Sequence, residues 1–307
     1  MRFGIIAAVL VVGCASRQPS AVLPGGAEAI SLLGDTLRSP ALADATRALY
    51  ESRLDSARRA VQANASDPEA LIWLGRRTAY LGRYREAIAI FSDGIARWPG
   101  DARFYRHRGH RYITIRRFAD AARDFERAER LVRGRVDEVE PDGLPNARNI
   151  PTSTLQFNIY YHQALAHYLR GEWSRAHDAW QRCLGVSLNH DAQVATRYWL
   201  YLSLRRMGRQ RDAEAILGPV LAELDIVENR AYHRLLLAFK GELPVDALFT
   251  PDDAVDTATV AYGIAAWHGA EGRREENLRW LRRARSGSQW AAFGYIAAEA
   301  DLARSQR

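Results

Sequence analysis

The stretch RHRGHR, Arg106 to Arg111, places two imidazoles three residues apart, the spacing at which two side chains on a helix could share a metal ion. Arg103, Arg106, Arg108 and Arg111 surround that pair, and their combined field opposes a cation. The other paired groups fit chemistry less well. His162 and His167 are five apart and face different directions on a helix. Glu299 and Asp301 are two apart and do not share a face. HExxH, CxxC, GxSxG and a phosphate-binding glycine loop are all missing from the sequence. The residues therefore point to no catalytic set, no metal site and no cofactor. The expectation is a protein that binds rather than reacts.

The bulk composition agrees with a folded, non-nucleic-acid protein. Of 307 residues, 48% are apolar and 26% charged, which is ordinary for a globular chain. The net charge is +7, and Lys240 is the single lysine, so 42 of 43 basic residues are arginine. Arginine's planar fork suits carboxylates and phosphates. Its scattering along the chain argues against a nucleic-acid surface.

The elements that must position these residues repeat. Gly75, Tyr84, Ala87 and Phe91 recur 34 residues later as Gly109, Phe118, Ala121 and Phe125. Small residues recur where two helices approach closely, and large ones where a gap must be filled. With Leu74 and Pro99, the pattern resembles the tetratricopeptide repeat, a helix-turn-helix unit of that length. A second repeat adds Tyr105, Tyr112 and Ala128. A third carries Tyr160, Ala164, Gly171, Trp173, Ala176 and Trp180, and a fourth Leu200, Gly208, Ala213 and Leu217. The resemblance implies an all-α fold, a right-handed superhelical solenoid of antiparallel helix pairs. Residues 68–135 hold repeats one and two, and 157–287 hold repeats three to six, the later ones degenerate. A capping helix is expected over 41–67 and another over 288–307, because terminal units need a polar outer face. The segments EPDGLPNARNIPTSTLQFN and WAAFGYIAAEADLAR are also similar to a family of uncharacterised bacterial repeat lipoproteins, a likeness that supplies no activity.

In such repeats the first helix of each pair lines the concave face. Carried onto this chain, the inward positions imply a partner-binding groove of Arg76, Tyr80, Arg103, Arg106, His110, Tyr161, Tyr168, Tyr198 and Arg205. Arginine and tyrosine are favoured at protein interfaces. Ile72 and Arg76 depart from the Lys/Asn pattern that clamps a C-terminal carboxylate. Between the second and third repeats lies an insertion, 136–156, with three prolines from Pro141 to Pro151. Its acids Asp137, Glu138, Glu140 and Asp142 are expected to fold over the groove mouth and pair with Arg103 and Arg106. The alternative is a surface spacer.

The N-terminus reads as a lipoprotein signal. Arg2 precedes the apolar run Phe3 to Val12, too short to span a bilayer, and the run ends Val11-Val12-Gly13-Cys14. That ending resembles a bacterial lipobox. It implies a signal peptide over 1–13, lipid on Cys14, and a flexible tether over 14–40. Ala15 resembles outer-membrane sorting, facing the periplasm. Cys183 then has no partner and reads as a small buried hydrophobe. The expected function is a lipid-anchored periplasmic adaptor or scaffold, not an enzyme, holding an unidentified protein or peptide. Its membrane contact is through the anchor. The alternative is an envelope protein that binds or cleaves cell-wall glycan.

Overall fold

The structure is a computed structural model that describes residues 23–248 and 254–306. The lipobox, Cys14 and the first part of the expected tether lie outside the described residues. The elements are β1 (Ala27–Ile30), β2 (Thr36–Arg38), α1 (Asp44–Ala63), α2 (Pro68–Tyr80), α3 (Tyr84–Arg97), α4 (Ala102–Thr114), α5 (Phe118–Val132), α6 (Leu155–Arg170), α7 (Trp173–Gly185) and α8 (His190–Arg206). They continue with α9 (Gln210–Leu217), α10 (Arg230–Phe239), a short 3₁₀ turn at Val245–Leu248, α11 (Ala254–Ala270), α12 (Arg274–Ala284) and α13 (Phe293–Ser305).

The helix starts follow from local chemistry. Asp67 and Asp101, 34 residues apart, each accept a backbone N–H two residues on, from Glu69 and Arg103. Thr154 and Asn189 cap α6 and α8 by accepting the N–H three residues on, from Phe157 and Ala192. α5 shows a single apolar stripe, with Phe118, Ala121, Ala122, Phe125, Ala128 and Val132 buried. The pairs α2/α3 and α4/α5 stack through one repeated contact: Gly75 faces Phe91, and Gly109 faces Phe125. A Cβ on Gly109 would sit 2.8 Å from the Phe125 ring, so the glycine is what lets the two helices close.

Two features differ from the expectations. Residues 27–38 are not a tether. They form an antiparallel hairpin, Ala29 opposite Leu37, whose two side chains are buried in the main core. Glu28 accepts the backbone N–H of Arg85, and the Ser39 hydroxyl donates to the Gly82 carbonyl, fixing the hairpin to the first repeat. Secondly, α13 does more than cap the end of the array. It turns back across the inner face and meets α4, α6, α8 and α11. Phe293 lies 5.6 Å from both His110 and His162, ring to ring. Arg304 donates to the Leu169 carbonyl at the end of α6. Asp301 pairs with Arg206 at the end of α8 and accepts from the Tyr262 hydroxyl on α11.

The hairpin and the last helix, at the two ends of the described residues, meet. The Leu32 N–H donates to Glu299, and the Trp290 indole N–H donates to the Arg38 carbonyl, each at 2.7 Å. Tyr84 packs edge-on against Trp290 at 5.4 Å.

Candidate functional site

The expected groove divides into three parts. Its tyrosine end is core. Tyr161, Tyr168 and Tyr198 are buried. The Tyr161 oxygen accepts from the Trp199 indole N–H at 2.7 Å, and the Tyr168 and Tyr262 hydroxyls are 2.6 Å apart. Tyr198 stacks on Tyr232 at 4.6 Å. Burial pushes the Tyr161 and Tyr198 phenols well above their usual range, so both stay neutral. The cause lies in the helices that carry them. α8 buries Val194, Tyr198, Trp199, Leu200, Tyr201 and Leu202, residues that point all round its axis. A helix apolar all round is surrounded by protein, so it cannot front an open groove. Arg205 sits at the outer edge of this region, bound to Glu271 at 2.6 Å and to the Tyr201 hydroxyl at 2.8 Å.

Arg103 is also taken. It makes ion pairs with Asp101 and with Glu69 of the preceding repeat, both at 2.6 Å. It pairs with none of the acids of the insertion, contrary to expectation.

The third part is a cavity of about 120 Å³ between α2, α4 and the insertion. Arg76, Tyr80, Arg106 and His110 line it, together with His107, Arg111 and Glu140. Glu140 is the insertion's contribution. Its carboxylate lies 2.8 Å from the Arg106 guanidinium and accepts from the Asn158 amide. The insertion continues as a strap. The Pro141 carbonyl accepts from Arg76 at 2.7 Å and the Gly143 carbonyl from Arg77 at 2.8 Å. Further on, Arg148 pairs with Asp225, and Thr152 and Asn146 donate to Glu228. The strap thus runs from the first repeat to the turn before α10. Asp137 sits at its base, accepting from the Thr154 hydroxyl and the Gln156 N–H, and so helps start α6. Glu138 is exposed. Burial, then the nearby Glu228, raises the Asp142 carboxyl above its usual value.

The histidines of RHRGHR are held neutral. Burial first, and then arginine charge, holds His107 and His110 well below the usual histidine range. His107 Nδ1 lies 3.0 Å from an Arg106 N–H. Arginine can only donate, so Nδ1 accepts and the ring's proton is on Nε2. Among the described residues, no cluster of three or more His, Cys, Asp and Glu is placed to hold a metal ion.

His107 and Arg111 were not among the expected site residues. The sequence did contain a signal for them. Ala102–Thr114 carries four arginines and no acid, and a helix of that kind packed between others must find its counter-charges elsewhere.

No protein-family model matches the chain, and no curated protein does. Several solved structures are similar to it. A tetratricopeptide repeat protein from Parabacteroides merdae is 14% identical, with 82% of this chain and 92% of that one covered and a TM-score of 0.49. YrrB, described as a TPR protein with an unusual peptide-binding site, is 15% identical, with 78% and 96% covered and a TM-score of 0.44. TTC0263, a thermophilic TPR protein in Thermus thermophilus, is 22% identical, with 62% and 91% covered and a TM-score of 0.45. The 34-residue period, the paired helices and the repeated Gly–Phe contact belong to this chain itself, and on them it is an all-α array of tetratricopeptide-type helix pairs.

Proposed function

We propose that this chain is a non-enzymatic scaffold of the bacterial cell envelope, anchored by lipid on Cys14 to the outer membrane and facing the periplasm. It holds a protein or peptide partner along the edge formed by the insertion and the first two repeats. The lipobox supports the anchor, and the stacked helix pairs support a binding role.

One observation carries the choice of edge. The inner face is occupied by the chain's own α13, whereas the insertion turns Val136, Val139, Leu144 and Ile150 outward, with Val136 91% exposed. Exposed apolar side chains grouped on one loop mark a contact surface. Beside them an open hollow of about 620 Å³ runs past Trp98, Pro99, Arg103 and Arg135. Apolar anchors rimmed by arginine are what a protein interface uses.

The glycan alternative asks for a carboxylate next to an open aromatic face. In the tyrosine-rich region of the inner face, the aromatic–carboxylate cluster is Tyr168, Tyr262 and Asp301. It is buried, and its carboxylate is held by Arg206 and Arg304.

The test is crosslinking and pull-down from intact envelopes, comparing the wild type with Val136→Glu/Val139→Glu. Both positions are exposed, so the fold is expected to survive. Loss of a discrete protein from the variant's profile supports the reading. Identical profiles, or recovery of glycan alone, would sink it.

A further inference from the structure

α4 carries Arg103, Arg106, Arg108 and Arg111, and no acid. Three of the four have carboxylates. Arg103 has Asp101 and Glu69, Arg108 has Asp124 through two 2.8 Å bonds, and Arg106 has Glu140. The partly exposed Arg111 side chain has no hydrogen bond or ion pair among the described residues, only the Tyr84 ring 5.5 Å beneath it. It points into the 120 Å³ cavity.

Two further arginines on that wall are incompletely used. Arg106 is 8% exposed, and its Nε–H has no partner. Arg76, also 8% exposed, bonds only to uncharged groups, the Pro141 carbonyl and, weakly, the Tyr80 hydroxyl. Three guanidiniums therefore face one carboxylate, Glu140, and two positive charges are left over. Asp142, the next acid along the strap, does not line the cavity. A buried donor left without a partner is unfavourable, and the orphaned Arg106 Nε–H is one on this wall. Burial lowers Arg111 to about 10, which is what a guanidinium without a counter-ion should show.

We propose that this cavity binds a dianionic tetrahedral oxyanion, a phosphate group. A phosphate monoester carries close to two negative charges near neutral pH and offers three strong acceptor oxygens. That charge matches the two left uncompensated. The oxygens match the unused Arg106 Nε–H, the Arg111 fork and a remaining Arg76 N–H. Arginine suits this chemistry through its planar donor geometry. The size fits as well, since 120 Å³ is about four times a water molecule's share of the liquid. A neighbouring cavity of about 240 Å³ shares Arg76, His107 and Glu140 on its walls. It leaves room beside the phosphate for the rest of an ester.

The test uses the full chain in detergent at pH 7, titrated calorimetrically with inorganic phosphate at constant ionic strength set by chloride. Saturable binding is expected, together with a phosphate-dependent rise in Tm that chloride does not give. Arg111→Gln breaks no internal bond. It should weaken phosphate binding at least tenfold while its own Tm without phosphate stays at or above that of the wild type. Glycerol 3-phosphate separates the two sources. Binding as tight as phosphate or tighter identifies an esterified ligand, and exclusion identifies the free anion. Absence of phosphate binding beyond the chloride background overturns the proposal. So does an Arg111→Gln chain that titrates like the wild type.

Discussion

Arg116 and Glu299, 183 residues apart, form a two-bond ion pair, Nε to Oε1 at 3.0 Å and Nη2 to Oε2 at 2.8 Å, with side chains 3% and 0% exposed. Arg116 stands 34 residues after Gly82, at the turn between the helices of a repeat. The other turns place glycine there in the left-handed region, at Gly82, Gly171, Gly208 and Gly272, and Arg116 adopts it too, with φ 67°. A side chain in that conformation costs about 1–2 kcal/mol. The same guanidinium also donates to the Trp290 carbonyl. The arginine therefore gives up local backbone comfort to tie the second repeat to the last helix. Glu299 is a tether between the second repeat and the last helix.

Removing one partner leaves the other buried. Glu299→Ala and Arg116→Ala should each lower stability by about 3–5 kcal/mol in urea unfolding. Arg116→Gly should be milder than Arg116→Ala by about 1 kcal/mol, because glycine relaxes the left-handed backbone that alanine retains. Equal losses would show that the backbone there is not strained.

Acid should loosen the inner face. His107, His110 and His162 are held well below 6.5 by burial first and by arginine charge after it. In the unfolded chain each titrates near 6.5. Between those values the unfolded state binds more protons, so stability rises with pH. The contribution is complete above about pH 6.5 and is lost as pH falls below it. Tm should therefore drop between about pH 6.5 and pH 5, ahead of most carboxylate protonation. His110→Gln should flatten that slope. An unchanged slope in the variant would rule out His110 as a contributor.

The helix crossings should not tolerate a methyl group. Gly109→Ala places a Cβ 2.8 Å from the Phe125 ring, and the Cβ of Gly75→Ala meets the Phe91 ring more closely still. Overpacking of this kind costs about 1–3 kcal/mol. Gly75→Ala is expected to be the worse of the two in thermal unfolding, and the reverse order would contradict the packing described.

Cys183 should be inert. Burial pushes its thiol up to about 12, and the sulfur is enclosed by the Thr196 and Ser187 hydroxyls and the Phe157 carbonyl. The thiolate is the reactive form. Iodoacetamide at pH 8 should leave Cys183 unmodified in the folded protein and alkylate it in urea. Labelling of the folded chain at the unfolded rate would contradict the burial.

The repeat architecture is legible because its contacts are local. Gly75 and Phe91, or Gly109 and Phe125, lie within one helix pair, so period and residue size record the packing directly. The capping aspartates and the boundaries near 68 and 102 follow for the same reason. The insertion, too, is evident from its prolines. Which of the insertion's acids would meet an arginine is not evident, since Glu140 reaches Arg106 while Asp137 turns back to begin α6.

The groove is not legible in the same way, because an inward-facing position need not be an open one. The all-round apolarity of Arg197 to Leu204, RYWLYLSL, marks that helix as enclosed, but only the fold names what encloses it. Repeat spacing says nothing about a segment that leaves the array, so no period predicts α13 lying across α4, α6 and α8, or the hairpin meeting it. Such closures depend on pairs far apart in the chain, Arg116 with Glu299 and Leu32 with Glu299. The sequence by itself determined the helix pairs and their order, through local spacing and side-chain size. The tertiary structure alone decided which arginines are neutralised and which still face a cavity, because each charge is settled by a partner that only folding brings near.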